Sequence, residues 1–136
     1  MVNLKRLFLF AAVAAVALWG SGCSSRLEND HLQPEDFAVY LDRAGVKVDS
    51  IRAVPPDPFR ASSGVAIEVA GSEIGVYKYH QSSKIQAERI KHLEKTGRTY
   101  INGIPYPVEV GGSFMILGLD KNPKKKQIIE VLHNFK

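Results

Sequence analysis

This chain has little of the chemistry that usually marks a catalyst or a metalloprotein. Its 136 residues include one cysteine, Cys23, and one tryptophan, Trp19. A lone cysteine closes no internal disulfide, so a domain working in an oxidising compartment must be held by burial alone. No stretch reaches the ~20 consecutive apolar residues that cross a bilayer as a helix; the run from Leu7 to Trp19 falls short. No G-x-S-x-G string is present, and the nearest, Ala61-Ser62-Ser63-Gly64, lacks the leading glycine of a nucleophile elbow. Of the four histidines, His31, His80, His92 and His133, none belongs to an H-E-x-x-H motif. Glu88 and His92 share a helix face at i, i+4 and His80 precedes that helix, which makes a metal site geometrically conceivable. We read these as solvated side chains and expect no metal and no cofactor. We see neither an internal repeat nor a low-complexity segment.

What is present begins with Lys5 and Arg6, then the apolar run, then the small residues Gly20-Ser21-Gly22, and then Cys23. A basic start, an apolar middle and a small-residue end make a secretory signal. With the cysteine directly after it, the stretch Leu18 to Cys23 resembles the lipobox of bacterial lipoproteins. That resemblance implies that the Cys23 thiol carries a diglyceride, that the chain is cut just before it, and that the new amino terminus is acylated. It also implies a place of work, the bacterial cell envelope. Ser24 after the cysteine implies the outer membrane, facing the periplasm, if the source is Gram-negative. A plain secretory signal would instead leave Cys23 as an unexplained free thiol. One acyl chain gives only marginal attachment, whereas two or three hold firmly.

Cleavage changes the composition that matters. Of the 18 basic residues Lys5 and Arg6 would be lost, leaving 16 against 14 acidic ones, so the formal charge falls from +4 to near +2. That balance does not indicate nucleic acid as a partner. The expected organisation is a signal peptide over residues 1–22, a lipidated polar tether over 23–31, and one domain over 32–136. A chain of this size suits one modest core and not two.

Within the domain, Pro34 to about Ala44 predicts a helix with proline at its first position. Glu35 and Asp36 complement its dipole, and Phe37, Tyr40, Leu41 and Ala44 form the buried face. Val46, Val48 and Ile51 predict a strand, and the proline-rich 55–58 a loop anchored by Phe59. A hairpin is expected around Gly71-Ser72, pairing Val69 with Ile74, Ile67 with Val76 and Val65 with Lys78. Ser83 to Gln86 predicts a capping box opening a helix that Gly97 closes. Asn102-Gly103 and Gly111-Gly112 predict two more turns. Asn122 and Pro123 are expected to start a last helix that buries Ile128, Val131, Leu132 and Phe135. Helices and hairpins do not alternate regularly, so the expected class is α+β, a mainly antiparallel sheet of hairpins against about three helices.

Two surfaces stand out. Lys121, Lys124, Lys125 and Lys126 oppose the dipole at the start of the last helix, a conflict that an anion would remove; lipid headgroups or an acidic partner are the candidates. Tyr77 and Tyr79, on the face opposite Val76, offer interface chemistry if exposed. The expected function is that of a lipid-anchored binding or structural module, with membrane lipid and an envelope protein as candidate partners. A small extracytoplasmic hydrolase or metal-dependent enzyme is the lesser alternative.

Overall fold

The computed structural model describes residues 28–136; residues 1–22 and Cys23, the expected signal peptide and lipidation site, lie outside them. The described elements are α1 (Pro34–Arg43), β1 (Ser50–Ala53), β2 (Ser63–Val69), β3 (Ser72–Lys78), α2 (Lys84–Thr96), β4 (Arg98–Ile101), β5 (Ile104–Gly111), β6 (Phe114–Leu117) and α3 (Lys125–His133), with single 3-10 turns at Asp57–Phe59 and Leu119–Lys121. The strands form one antiparallel sheet in the order β1-β2-β3-β6-β5-β4. The α+β class and the antiparallel hairpins are therefore as the sequence implies. No helix among the described residues is long and apolar enough to cross a membrane.

Strand alternation sends apolar residues to both sides of the sheet, and each side has its own core. On one face Val65, Ile67, Val69, Ile74, Val76, Phe114 and Ile116 meet Phe37 and Leu41 of α1 and Ile128, Val131 and Leu132 of α3. On the other, Tyr77, Met115 and Val108 meet Ile90 and Leu93 of α2, together with Val54 and Phe59. Each such side chain contributes about 1.5–3 kcal/mol when fully buried. Phe135 closes the first core, edge-on to Phe37, Tyr40 and Phe114 at centroid distances of 5.2, 4.7 and 4.8 Å.

The central hairpin differs from expectation by two residues. Val69 faces Ser72, Ile67 faces Ile74 and Val65 faces Val76. The turn is Ala70-Gly71, with φ of 53° and 76°, the doubly positive form that suits the twist of a hairpin. A shift of two keeps every side chain on its expected face. It sets valine against valine and isoleucine against isoleucine, and moves Lys78 to the open end opposite Ser63. The register also places Glu68 directly across from Glu73, a repulsive pair. An Arg52–Glu73 ion pair at 2.6 Å and a hydrogen bond donated by Ser50 to Glu68 at 3.3 Å offset it.

Other boundaries move for local reasons. Val46 and Val48 pack against the core without joining a strand, which starts only at Ser50. The capping box at Ser83 does not form. The Gln86 side chain is drawn instead to the 60–62 loop, donating to the Arg60 carbonyl at 2.9 Å and accepting from the Ser62 hydroxyl at 2.8 Å. Gly111 pairs with Phe114, so that turn is Gly112-Ser113. The last helix starts at Lys125, two residues later than expected. Asn122 is buried there: its amide donates to Val69 O at 3.0 Å, and its Oδ1 accepts from Lys124 N at 2.9 Å.

Tyr77 lies across Gly64 and Gly75, where an added Cβ would sit 2.7 Å from its ring. A ring sandwiched between sheet and Phe59, at a 4.5 Å centroid distance, has little room to yield. Gly64→Ala is therefore expected to cost about 1–3 kcal/mol, seen as a lower urea midpoint at unchanged m-value. An unchanged midpoint would mean that Tyr77 can move aside freely.

Candidate functional site

The structure brings together a polar junction at the start of the described chain. Asn29 is buried, and its carboxamide uses both donors and its acceptor. It donates to Gly111 O at 3.1 Å and Phe135 O at 3.0 Å, and accepts from Ser113 N at 2.9 Å. The next residue, Asp30, accepts at Oδ1 from Gln81 N at 2.9 Å and from the Ser113 hydroxyl at 2.7 Å. Lys78, almost wholly buried, donates to the carbonyls of Asp30 and Leu32 at 2.7 and 2.5 Å. Outside this layer, Glu28 pairs with Lys136 at 3.2 Å. Residues 28–32 are thus part of the domain, and the expected boundary between tether and domain at residue 32 moves back. The run 28–31 is polar because this strap bonds through side-chain amide, carboxylate and backbone carbonyls.

Burial disfavours the charged form of both ionisable groups at the junction, with opposite outcomes. For Lys78 burial dominates, and the nearby carboxylates of Asp30 and Asp36 only partly restore its affinity for a proton, so its pKa lies below the ordinary lysine value. For Asp30 burial pushes the pKa up, but the Gln81 and Ser113 hydrogen bonds and the Lys78 charge together hold it below the ordinary carboxylate value. The Ser113 hydroxyl is fully buried, donates to Asp30 and accepts from Gln81 Nε2 at 3.1 Å. Its role is to carry the strap.

The sequence-predicted residues fall elsewhere. Tyr77 and Tyr79 are buried, at 7% and 1% exposure, so they are not the outward interface they would make if free. The cause is the second core: the 3-10 turn and α2 cover them, and the Tyr79 hydroxyl donates to Phe59 O at 2.6 Å. Burial accordingly raises the pKa of both phenols. Glu88 and His92 line a shallow groove of about 370 Å³ with Phe59, Arg60, Tyr79 and Ile85, and His80 is not in its lining. No group of three His, Cys, Asp or Glu side chains able to hold a metal occurs among the described residues. Lys121, Lys124, Lys125 and Lys126 are all exposed, around the second 3-10 turn and the first turn of α3. Sequence reasoning misses the strap junction because a short polar stretch reads as solvated chain; the available signal is Lys78, a charge within an apolar strand.

Because the folded pKa of Asp30 lies below its unfolded value near ~3.9, its contribution is fully present above that value and is lost as pH falls through the folded one. Asp30→Asn is expected to remove about 1–2 kcal/mol at neutral pH, allowing for partial exposure, and to flatten the acid limb of stability below about pH 5. Chemical denaturation from pH 7 to pH 3 checks this, and parallel acid limbs for variant and parent would count against it. Against family models, curated proteins and solved structures alike, the chain has no match.

Proposed function

We propose that this chain is a lipid-anchored protein of the bacterial envelope, whose α+β domain acts by binding or by structural contact. The observation that carries the reading is the position of Cys23, the single cysteine, directly after an apolar run and three small residues. The fold is consistent with such an anchor. Asn29, the first buried residue among those described, is only six positions beyond Cys23. At about 3.5 Å per residue, that spacing holds the body within roughly 20 Å of the sulfur. Two or three acyl chains would then make release negligible, because each buried methylene contributes about 0.8 kcal/mol.

The binding role rests on what the domain offers: charged and apolar surface outside two closed cores, with shallow grooves between its helices and loops. Mass spectrometry of the protein isolated from bacterial membranes tests the anchor. The expected product begins at Cys23 and carries a diacylglycerol and a further acyl chain. Cys23→Ala should leave a longer, unacylated chain that washes off membranes. A wild-type product that begins at Met1 and bears no acyl chain would overturn the proposal.

A further inference from the structure

Much of the β4–β5 hairpin is exposed. β6 pairs only with residues 108–111 of β5, while β4 pairs only with 104–107. The hairpin therefore runs past the end of β6 as an arm. Three of the six exposed large apolar side chains among the described residues are on it: Tyr100 at 59%, Ile104 at 54% and Tyr106 at 37%. Val108 N donates to Gly97 O at 3.0 Å, so by alternation the amides of residues 104 and 106 also point toward β4 and those of 105 and 107 point outward. The two outward positions are prolines, which have no N–H. Strand addition along that edge of β5 is blocked, while β4, the last strand of the sheet, keeps its own outer edge open.

Charge surrounds the base of this arm. Gly111 faces Leu132 of α3, so Pro105 and Pro107, an even number of residues away, lie on the α3 side with their partners Tyr100 and Arg98. Pro107 shares a small cleft with Leu119, Asp120 and Lys125. Arg98 pairs with Pro107 and Lys125 lines that cleft, with Asp120 and the half-buried Glu109; both cations are exposed, as are Lys121, Lys124 and Lys126 next to them in the chain. Ile104 and Tyr106, at the alternate positions, share the opposite face with Val108, so on the α3 side the exposed Tyr100 is the apolar group near these cations. A tyrosine beside lysines suits an anionic headgroup region, where the amphipathic ring and the cation are both favoured. The strap meets the C-terminal end of α3 through Phe135, and the lysines lie at its N-terminal end. Nine residues of helix separate the two, a distance of about 13 Å, so one flat surface can meet both.

We propose that the α3-side face of the β4–β5 arm, with Tyr100 and Arg98, and the lysines at its base dock the domain onto the anionic headgroups of the same bilayer that anchors it, with α3 lying along the membrane. The inference rests on the lipid-anchor reading above and adds a second, electrostatic point of attachment. Each lysine near such a surface strengthens attachment about fivefold at low salt, and screening weakens it.

The full acylated chain carries Tyr100→Trp as its reporter, and Trp19→Phe so that any uncleaved precursor adds no signal of its own. It is placed in vesicles of phosphatidylethanolamine with or without phosphatidylglycerol. In the anionic vesicles the emission of the indole at position 100 should shift to the blue and be quenched by lipids brominated near the headgroup. High salt should reverse this, as should replacement of Lys121, Lys124, Lys125 and Lys126 by alanine, while the protein still floats with the vesicles. A reporter that stays water-exposed on anionic vesicles with which the chain co-floats overturns the docking and leaves the anchor standing. Protection that appears only after envelope proteins are added also overturns it, in favour of an acidic protein partner. A chain that does not float with vesicles at all removes the anchor, and the docking with it.

Discussion

Both ends of the described fold are held through the carboxamide of Asn29. One side chain joins the start of the described chain to the turn between β5 and β6 and to the backbone of Phe135. A buried amide with both donors and its acceptor engaged costs little to desolvate, whereas one left unpaired would cost about 1–3 kcal/mol per group. Its bond to Phe135 fixes the segment that places an aromatic ring against Phe37, Tyr40 and Phe114. Tyr40 adds a second hold, its hydroxyl donating to Lys136 O at 2.6 Å. The polar strap and the aromatic cluster therefore fix both ends of the described chain at one pole of the domain.

Lys78 and Asp30 extend that junction into the sheet. Burying an ammonium is unfavourable unless its donors are used, and here two strap carbonyls and a nearby carboxylate answer it. The strap is thereby held over the end of β3.

The two ends of the sheet are managed differently. Around the central hairpin, side chains are closed in on both faces, so packing sets the register and even a repulsive Glu68–Glu73 pair is accepted with Arg52 beside it. At the far end, β4 and the first half of β5 stay largely exposed, and prolines at the outward amides guard the part of β5 that runs past β6, while β4 is an open edge strand.

Local pieces were legible in the chain alone: the helix at Pro34, the stops at Gly45 and Gly97, the Asn102-Gly103 turn, and the faces of β2 and β3. Each follows from backbone preference or from periods of 2 and 3.6, which act over a few residues. Folding in three dimensions was needed to settle the register of the central hairpin, the burial of Tyr77 and Tyr79, the diversion of Gln86 away from its capping box, and the incorporation of Asn29 and Asp30 into the domain. The last three outcomes depend on partners between 20 and 106 positions away in the chain, and the hairpin register, though its partners are only 3 to 15 residues apart, is set like them by which surfaces can close together around the core.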